Sequence, residues 1–389
     1  MESILLKDII QKPISGEWGL EDLYGTGIPV LRTANFTNEG IINFENVVTR
    51  NISSSKLKGK LLQKGDILLE KSGGSDKQPV GRVVYFDGQA DKYGFNNFTS
   101  ALRISDLTMW NPKYIFYALY ANYHHGGTRK YENKTTGLHN LKVDLFIRSF
   151  SVPYATLIKQ NEIVKKLDLL NHLENVCEVQ LQKLDELVKS RFIEMFTNTQ
   201  NAALGSVCTM INGDRGKNYP SGKDRVASGI PFINAGHLDG RKVRFEAMDY
   251  ITEEKYKQMT QGKVQRDDIL YCLRGSIGKH GMVDFDEGLI ASSLVIIRCD
   301  QSKILPQFVL CALESNEIER QLKEANNGSS QPNLSAASVK KYLIPLPHIE
   351  EQEKFVDIFQ QSDKSKMAVQ KSLDELETLK KSLMQTYFG

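Results

Sequence analysis

The chain has 389 residues, of which 40% are hydrophobic and 25% are charged, and its formal net charge is +3. This length favours two or more domains, and the composition is that of an ordinary globular protein. The sequence shows neither a signal peptide nor an uncharged apolar run of about 18 residues, so we expect a cytoplasmic protein without a membrane span. The five cysteines form no C-x-x-C pair, which argues against a zinc site or a disulfide framework.

The sequence contains the same set of segments twice, in the same order. Four segments of the first half match four of the second, with shifts of 202 residues for the first two and 194 for the last two. The matched pairs are GIPVLRTANF (27–36) with GIPFINAGHL (229–238), KGDILLEKSGG (64–74) with RDDILYCLRGS (266–276), NPKYIFYAL (111–119) with LPQFVLCAL (305–313), and GLHNLKVDLFIRSFSVP (137–153) with QPNLSAASVKKYLIPLP (331–347). A period of about 195 residues indicates a domain duplication, since solenoid repeats are several-fold shorter.

Each copy has the same predicted plan along the chain. Short β-rich runs such as DILLE and DILYCL come first, followed by a helix that starts at Pro112 or Pro306. A polar loop, a strand that ends in proline and a long helix then follow. The pattern predicts an α+β fold with two similar mixed α/β domains, each followed by a long helix.

The two long helices each carry a heptad pattern of apolar residues. In the first helix the seam positions are Ile163, Leu167, Leu170, Cys177, Leu181, Leu184, Val188 and Met195, with breaks at Glu174 and Arg191. In the second they are Phe355, Phe359, Val369, Leu373, Leu376, Leu383 and Tyr387, with breaks at Ser362, Lys366 and Lys380. About 40 residues make a helix of about 60 Å, and connectivity favours an antiparallel coiled coil within one chain with a pseudo-two-fold axis. Dimerisation of two chains through these helices is the alternative.

We therefore expect four segments: a domain at 1–155, a spacer helix at 156–198, a second domain at 199–348 and a second spacer helix at 349–389. Residues 157–196 and 349–389 together carry a formal charge of −3, which leaves +6 on the remainder. The excess positive charge outside the helices permits a polyanionic partner without requiring one.

The motifs resemble those of a known family. IPLPHIEEQEKFVDIF (344–359) is similar to the segment that opens the helical regions in specificity subunits of type I restriction–modification systems. IPVLRTANF, KGDILLEKSGG, GSIGKHGMV and GSSQPNLS resemble landmarks of the target recognition domains in that family. The first copy departs from the pattern, because VPYATLIKQNEIVKKL lacks the second proline and the Glu-Glu-Gln start.

The resemblance implies a DNA-recognition function without catalysis. Such a subunit binds a bipartite double-stranded DNA sequence, with one half-site for each recognition domain and a gap set by the helical pair. The implied partners are a methylation subunit, in two copies, which carries S-adenosylmethionine, and a restriction subunit, which uses ATP and Mg. We expect no cofactor and no metal on this chain itself.

Candidate DNA-contacting residues lie first in a glycine-containing loop of each copy, where backbone N–H groups, hydroxyls and cations can approach phosphates. They are Lys71, Ser72, Gly73, Gly74, Lys77 and Arg82 in the first copy, and Arg274, Gly275, Ser276, Lys279 and His280 in the second. Arg32, Thr33, Asn35, Asn234 and His237 follow a predicted strand and include the residue types that pair with guanine and adenine. An ordinary hairpin loop or strand end remains the alternative for each.

Two further polar segments complete the predicted contacts. The loops at 124–140 and 326–335 supply Arg129, Lys130, Lys134, Thr135, Thr136, Ser329, Ser330 and Gln331. Thr99, Ser100, Ser292 and Ser293 precede a strand, where they can hydrogen-bond phosphate or cap a turn. A solvated loop without a ligand is the alternative reading of both loops.

No catalytic motif is complete in this sequence. Trp110-Asn111-Pro112-Lys113-Tyr114 resembles the N-P-P-[FY] motif of amino-methyltransferases but lacks its second proline, and GSIGKH (275–280) lacks the spacing of a phosphate-binding loop. Asp66, Glu70 and Lys71 align with Asp268, Cys272 and Leu273, so an acidic metal site is not repeated. A single-chain restriction–methylation enzyme and a symmetric scaffold for protein or glycan ligands remain the alternatives to DNA recognition.

Overall fold

The computed structural model describes residues 2–135, 138–214, 216, 219–325 and 334–389, with the backbone alone at 134 and 135. Two compact units account for the fold. We name them unit 1 (Met1–Cys177 with Ser372–Gly389) and unit 2 (Glu178–Lys371). The division falls inside both long helices, so each unit contains one mixed α/β region and a portion of each long helix.

Unit 1 is a mixed region of short strands and helices. Its described strands are β1 (Ser3–Leu5), β2 (Ile14–Ser15), β3 (Leu20–Glu21), β4 (Ile28–Leu31), β5 (Val48–Asn51), β6 (Ile67–Glu70), β7 (Ser72–Gly74), β8 (Val83–Tyr85), β9 (Gly94–Phe95), β10 (Thr99–Leu102), β11 (Glu132–Thr135), β12 (Leu138–Leu141) and β13 (Ser151–Pro153). Its helices are α1 (Leu6–Ile9), α2 (Ser54–Leu57), α3 (Pro112–His124), α4 (Val143–Ser149) and the start of α5 (Leu157–Phe196), with 3-10 turns at Thr33–Asn35 and Arg129–Tyr131.

The core of unit 1 lies between its sheets and helix α3. Strands β2, β10, β6 and β8 form one antiparallel sheet in that order, and β3, β5, β4 and β9 form a second in which β4 and β9 are parallel. All four residues of β6 are buried, because one face of its sheet packs on α3 and the other on the second sheet's cluster. Pro112 occupies the first turn of α3, where the helix needs no N–H donor and proline has none. The Asn111 side chain caps the helix by accepting from Lys113 N, and the predicted proline start is confirmed.

Unit 2 repeats this plan. Its strands are β14 (Asn201–Ala203), β15 (Cys208–Asn212), β16 (Arg225–Val226), β17 (Ile230–Ile233), β18 (Leu238–Asp239), β19 (Lys242–Val243), β20 (Asp249–Ile251), β21 (Ile269–Cys272), β22 (His280–Met282), β23 (Leu289–Ile290), β24 (Leu294–Cys299) and β25 (Leu343–Pro345). Its helices are α6 (Leu204–Val207), α7 (Glu253–Gln258), α8 (Pro306–Leu313), α9 (Asn316–Ala325), α10 (Ala336–Lys340) and α11 (Ile349–Phe388), which continues into unit 1, with 3-10 turns at Gly222–Asp224 and Ala235–His237.

The strand pairing confirms that the two mixed regions share one topology. In unit 2, β17 pairs antiparallel with β20 and parallel with β23, as β4 pairs with β5 and β9 in unit 1. The central strand β21 lies between β24 and β22, as β6 lies between β10 and β8. The strand that opens each copy pairs with the proline-ended strand that closes it, β1 with β13 and β14 with β25. The predicted duplication is therefore a duplication of fold.

A buried glutamine fixes the start of each long helix. Gln160 and Gln352 are both fully buried. The Gln160 side chain accepts a hydrogen bond from Asn111 N and donates to Met109 O and Ala155 O; Gln352 accepts from Leu305 N and donates to Lys303 O and Pro347 O. Helix α5 thus starts at Leu157 in the same way as α11, although the first copy lacks the Glu-Glu-Gln sequence.

The seam residues of the long helices are buried or partly buried within each unit. In unit 1, Ile163 and Leu167 of α5 pack in one cluster with Met384 of α11, while Glu174 of α5 pairs with Lys380 of α11 at 2.6 Å. As the position on α5 advances, the partner on α11 recedes, so the helices are antiparallel there. The two helices are antiparallel in unit 2 as well, since Asp185 of α5 contacts Lys366 of α11 and the later Phe192 packs on the earlier Phe355.

None of the described helices is both long and apolar enough to cross a membrane. In the same residues, no group of three or more His, Cys, Asp or Glu side chains is placed to hold a metal ion.

Candidate nucleic-acid interface

Each unit presents a turn at the end of its central buried strand. In unit 1 the turn follows β6 and begins at Lys71, whose backbone N–H donates to Phe98 O at 2.8 Å. In unit 2 it follows β21 and begins at Leu273, whose N–H donates to Ser293 O at 2.8 Å. The two predicted glycine-containing loops therefore emerge from equivalent points of the repeated fold.

The turn in unit 1 is built into a small sheet. Ser72 and Gly74 pair with β12, and Gly73 lies exposed with φ of 135°, a conformation that glycine adopts without strain. The Lys71 ammonium donates to Ser15 Oγ at 2.9 Å, and partial burial lowers the pKa of Lys71. Lys77 is exposed at the outer end of the same loop.

The second predicted loop of unit 1 lies against the first. The Arg129 guanidinium donates to Asp76 O at 3.3 Å, which ties the two loops together, and Lys130 is exposed beside it with its ammonium 5.1 Å from the Tyr131 ring. The structure thus brings Lys77, Arg129 and Lys130 to one connected surface. The side chains of Lys134 and Thr135, and all of Thr136, lie outside the described residues.

Arg82 precedes β8, and its side chain is bound by groups of unit 1 itself. Its guanidinium pairs with the Glu70 carboxylate at 3.1 Å and donates to Phe36 O and Thr33 O. The equivalent positions in unit 2 are Cys272 and Lys279, where the Cys272 N–H donates to Lys279 O as the Glu70 N–H donates to Arg82 O. The ion pair of unit 1 is therefore not repeated.

The turn in unit 2 is shorter and more exposed. Arg274, Gly275 and Ser276 are exposed, Gly275 has φ of 76°, and Lys279 is half-buried. His280 points inward: its ring stacks on Tyr271 with 6.2 Å between centroids, and burial lowers the pKa of the imidazole. A neutral ring that packs on Tyr271 is poorly suited to contact phosphate, and the DNA contact of His280 stays a prediction.

A cleft of about 600 Å³ lies beside this turn, and the sequence reasoning missed it. Its polar lining is Asn212, Asp214, Gln261, Arg274 and Ser335. Gly213 forms part of the wall, where a Cβ atom would lie 2.6 Å from Ala291 O. Ser329, Ser330 and Gln331, predicted to contact DNA from the loop that precedes Leu334, lie outside the described residues.

The sequence does mark the cleft wall at Gly213, because the tripeptide that contains this glycine has a match in the first copy. Ile14-Ser15-Gly16 matches Ile211-Asn212-Gly213, and a Cβ at Gly16 would lie 2.2 Å from Asn96 O, as close a contact as at Gly213. Glycine is required because the backbone passes directly against the strand end. Ser15, the partner of Lys71, lies in this tripeptide, and the sequence reasoning missed it as well.

In the turn that follows the strand GIPVL or GIPFI, some residues predicted to contact bases form hydrogen bonds within the turn instead. The Asn35 side chain is buried, accepts from Arg32 N at 3.1 Å and donates to Asn43 O at 3.0 Å. The His237 ring is also buried and accepts from Asn234 N at 3.1 Å. Arg32, Thr33 and Asn234 remain partly exposed, so they stay candidates for contacts with bases.

The remaining predicted hydroxyls lie deeper than expected for phosphate contacts. Thr99 is fully buried, with its hydroxyl donating to Asn96 O at 2.9 Å, and Ser100 is buried beside it. Ser292 and Ser293 of unit 2 are half-buried and lie just before Leu294, the residue that matches Thr99. In unit 1 these groups therefore stabilise the strand start, while the pair in unit 2 keeps partial access to solvent.

Two copies of one mixed plan, each presenting a glycine-containing turn at the end of its central strand, form a duplicated fold, and comparison with known proteins shows what the chain is similar to. Residues 197–378 match the family model of the type I restriction modification DNA specificity domain. The EcoBI specificity subunit of Escherichia coli is 26% identical over 170 residues, which are 42% of this chain and 36% of that protein. The MjaVIII specificity subunit of Methanocaldococcus jannaschii is 23% identical over 295 residues, which are 70% of this chain and 68% of that protein.

Solved structures show the same fold over the whole chain. The specificity subunit of the type I restriction–modification system from M. genitalium superposes with a TM-score of 0.62 at 15% identity, covering 100% of this chain and 96% of that one. A chain from a study of complex assembly and conformational transition of the type I system gives a TM-score of 0.58 at 16% identity, covering 100% and 97%. The resemblance to specificity subunits of type I restriction–modification systems is confirmed, and so is the predicted fold class.

Proposed function

We propose that this chain is the DNA-recognition subunit of a type I restriction–modification complex. The observation that carries the proposal is the repetition of one fold with an exposed turn at the same strand end in each copy, together with the match of residues 197–378 to a DNA specificity domain. Exposed Lys77 and Lys130 in unit 1 and Arg274 in unit 2 supply cations at these turns. Such cations bind phosphates without reading sequence, and neighbouring groups read base edges.

The finer proposal is a bipartite target. Each recognition domain, 1–155 and 199–348, binds one half-site, and the spacer helices at 156–198 and 349–389 set the gap between the half-sites. The 40-residue length of α5 and α11 corresponds to about 60 Å, which is long compared with the rise of a half-site. A buried seam makes such a helical pair stiff enough to act as a spacer.

The proposed partners follow from the same function. A methylation subunit that carries S-adenosylmethionine, in two copies, modifies the bound DNA, and a restriction subunit that uses ATP and Mg cleaves unmodified DNA. This chain supplies no catalytic group and binds no cofactor in the proposed complex. Its repeated plan suits two copies of a partner.

Methylome sequencing tests the bipartite target. This chain is expressed together with a methylation subunit from the same genome in a host without adenine methylation, and modified adenines are mapped. We expect one split motif with two specified parts and a fixed unspecified gap. A continuous motif would overturn the spacer role, and unmodified DNA in the presence of an assembled, S-adenosylmethionine-bound complex would overturn DNA recognition.

Removal of exposed cations tests the placement of the interface in unit 1. Lys77→Gln with Lys130→Gln is expected to weaken binding of the complex to target duplex about 10-fold or more, because two phosphate contacts are lost, and to lower the slope of log K against log salt by about 2. Fluorescence anisotropy over a salt series measures both quantities. The control is Lys381→Gln, an exposed lysine of α11 in the same unit, which is expected to change neither. Equal slopes for wild type and double variant would contradict the placement.

A further inference from the structure

Two cysteines of unit 2 face each other across neighbouring strands. Cys208 starts β15 and Cys299 ends β24, and the two residues are direct partners in the antiparallel ladder. Their Sγ atoms lie 3.6 Å apart, and both are free thiols. Cys208 is buried, whereas Cys299 is partly exposed. Cys299 is therefore the more accessible of the two residues.

The backbone at this pair has the spacing that a disulfide requires. Asp300 N donates to Val207 O at 2.9 Å, so Val207 and Asp300 form a hydrogen-bonded pair of the ladder. The next pair along, Cys208 with Cys299, is then a non-hydrogen-bonded pair, in which Cα atoms lie about 4.5 Å apart. That distance is within the range of about 4.4–6.8 Å spanned by disulfides. Side-chain rotation can bring the sulfurs together without moving a strand.

The other copy of the fold shows that thiols are not needed at this place. Ile10 and Ile104 form an isolated antiparallel bridge in unit 1, after α1 and β10 respectively. Ser105 N donates to Ile9 O at 2.9 Å, which repeats the hydrogen bond from Asp300 to Val207. An apolar pair therefore satisfies the packing of this site, and the dithiol of unit 2 supplies chemistry that the fold does not demand.

We propose that Cys208 and Cys299 form a reversible disulfide when the protein meets a hydroperoxide. The Cys299 thiolate attacks one oxygen of hydrogen peroxide, which gives a sulfenic acid at Cys299 and releases hydroxide, neutralised by the thiol proton to water. The Cys208 thiol then attacks the sulfenyl sulfur, the S–S bond forms, and a second water leaves. The two thiols lose two electrons and two protons, and one peroxide is reduced to two waters.

The environment keeps the pair reduced unless an oxidant is in excess. The interaction with the neighbouring Cys208 thiol, together with burial, raises the pKa of the Cys299 thiol. Since the thiolate is the reactive form, oxidation is slow compared with that of a low-pKa thiol. We therefore expect the cross-link to form under oxidative stress and to be reversed by a dithiol.

The cross-link would close the loop that contains the second recognition surface. Residues 208 and 299 are 91 apart in sequence, and the described DNA-contact candidates of unit 2 lie between them. These candidates are Asn234, His237, Arg274, Gly275, Ser276, Lys279, His280, Ser292 and Ser293. Closing so long a loop restricts the unfolded chain and stabilises the sheet of β15, β24 and β21. The formation of the disulfide itself does not depend on the proposed DNA function.

Non-reducing peptide mapping of the full chain tests the proposal. Wild-type protein is treated with excess hydrogen peroxide and quenched by alkylation. We expect a peptide pair joined through Cys208 and Cys299, two hydrogens lighter than the separate peptides, which dithiothreitol separates. The unfolding midpoint of the oxidised protein is expected to rise by roughly 5–10 °C.

The control variant comes from the chain's own first copy. Cys208→Ile with Cys299→Ile reproduces the Ile10–Ile104 pair, so it is expected to fold and to show no rise in midpoint after peroxide. Cys208→Ile alone is expected to accumulate sulfenic or sulfinic acid at Cys299, because the second thiol is missing. Oxidised wild type with Cys299 over-oxidised and Cys208 still alkylated, or with either cysteine joined to Cys177, Cys272 or Cys311 in preference, would overturn the proposal.

Discussion

Replacing Asp268 by alanine is expected to destabilise unit 2 by about 3–5 kcal/mol. The Asp268 carboxylate is 2% exposed, pairs with both the Nε and Nη2 groups of Arg298 at 2.8 and 2.7 Å, and accepts from Gln265 N at 2.7 Å. Its removal leaves the Gln265 N–H without its acceptor and leaves the Arg298 guanidinium, which is 30% exposed, with Lys263 O as a remaining acceptor. Chemical denaturation measures the loss, and hydrogen exchange locates it in β21 and β24.

The first copy supplies a matched experiment. Asp66 is 1% exposed and makes the same three contacts, with Arg103 at 2.8 and 2.7 Å and with Gln63 N at 2.8 Å. Asp66→Ala is expected to cost as much, with the loss located in unit 1. Asp87→Ala, at an exposed position, serves as the control and is expected to change stability by less than about 0.5 kcal/mol. Loss of less than about 1 kcal/mol in both alanine variants would contradict the structural importance of this ion pair.

The duplicated fold could be predicted because it rests on order and spacing. Local signals mark the main elements: the segments GIPVL and GIPFI, the prolines Pro112 and Pro306, and the two runs at 157–196 and 349–388 that contain neither glycine nor proline. Their repetition in one order fixes the plan, since a duplicated sequence folds twice in the same way. The structure confirms these elements with helix ends at Leu157, Phe196, Ile349 and Phe388.

The candidate interface could be predicted less well, because side-chain direction depends on distant partners. Asn35 and His237 have the residue types that read bases, yet each turns inward to satisfy its own turn. Arg82 is held by Glu70 and by two carbonyls more than 40 residues away in sequence. No local pattern marks these choices. The glycines of ISG and ING did carry a repeat signal, and comparison of the two copies at a shift of 197 would have found them.

The two copies fix one equivalent loop position by different contacts. Gly40 of unit 1 lies against Phe116 and Tyr120, where a Cβ atom would lie 2.6 Å from the Phe116 ring. In unit 2 the side chain of the matching Arg241 is 11% exposed, and its guanidinium donates two hydrogen bonds to the Glu314 carboxylate, both at 2.8 Å. One copy thus closes this contact with aromatic packing and the other with a buried ion pair. The scaffold is shared, whereas the means of fixing its loops have diverged, as expected where sites vary on one fold.

The Glu174–Lys380 pair in the seam of unit 1 is expected to have opposite effects when broken and when replaced. Lys380→Met leaves the Glu174 carboxylate, 14% exposed and with one oxygen buried and unpaired, without its cation, so the free energy of unfolding should fall by about 2–3 kcal/mol. Glu174→Leu with Lys380→Leu restores an apolar seam, and stability should return to the wild-type value or exceed it by about 1–2 kcal/mol. Chemical denaturation of the three proteins measures this reversal.

The reversal would show what the polar breaks in the seam contribute. If the double variant is at least as stable as wild type, the ion pair is not retained for stability, and its value lies in fixing which residues of α5 and α11 meet, as a single polar position does in a coiled coil. The control is Lys381→Met, whose side chain is 79% exposed beside Glu377, and it should change the free energy of unfolding by less than about 0.5 kcal/mol. A double variant that is less stable than Lys380→Met would contradict this account, because the pair would then contribute net stability through its geometry.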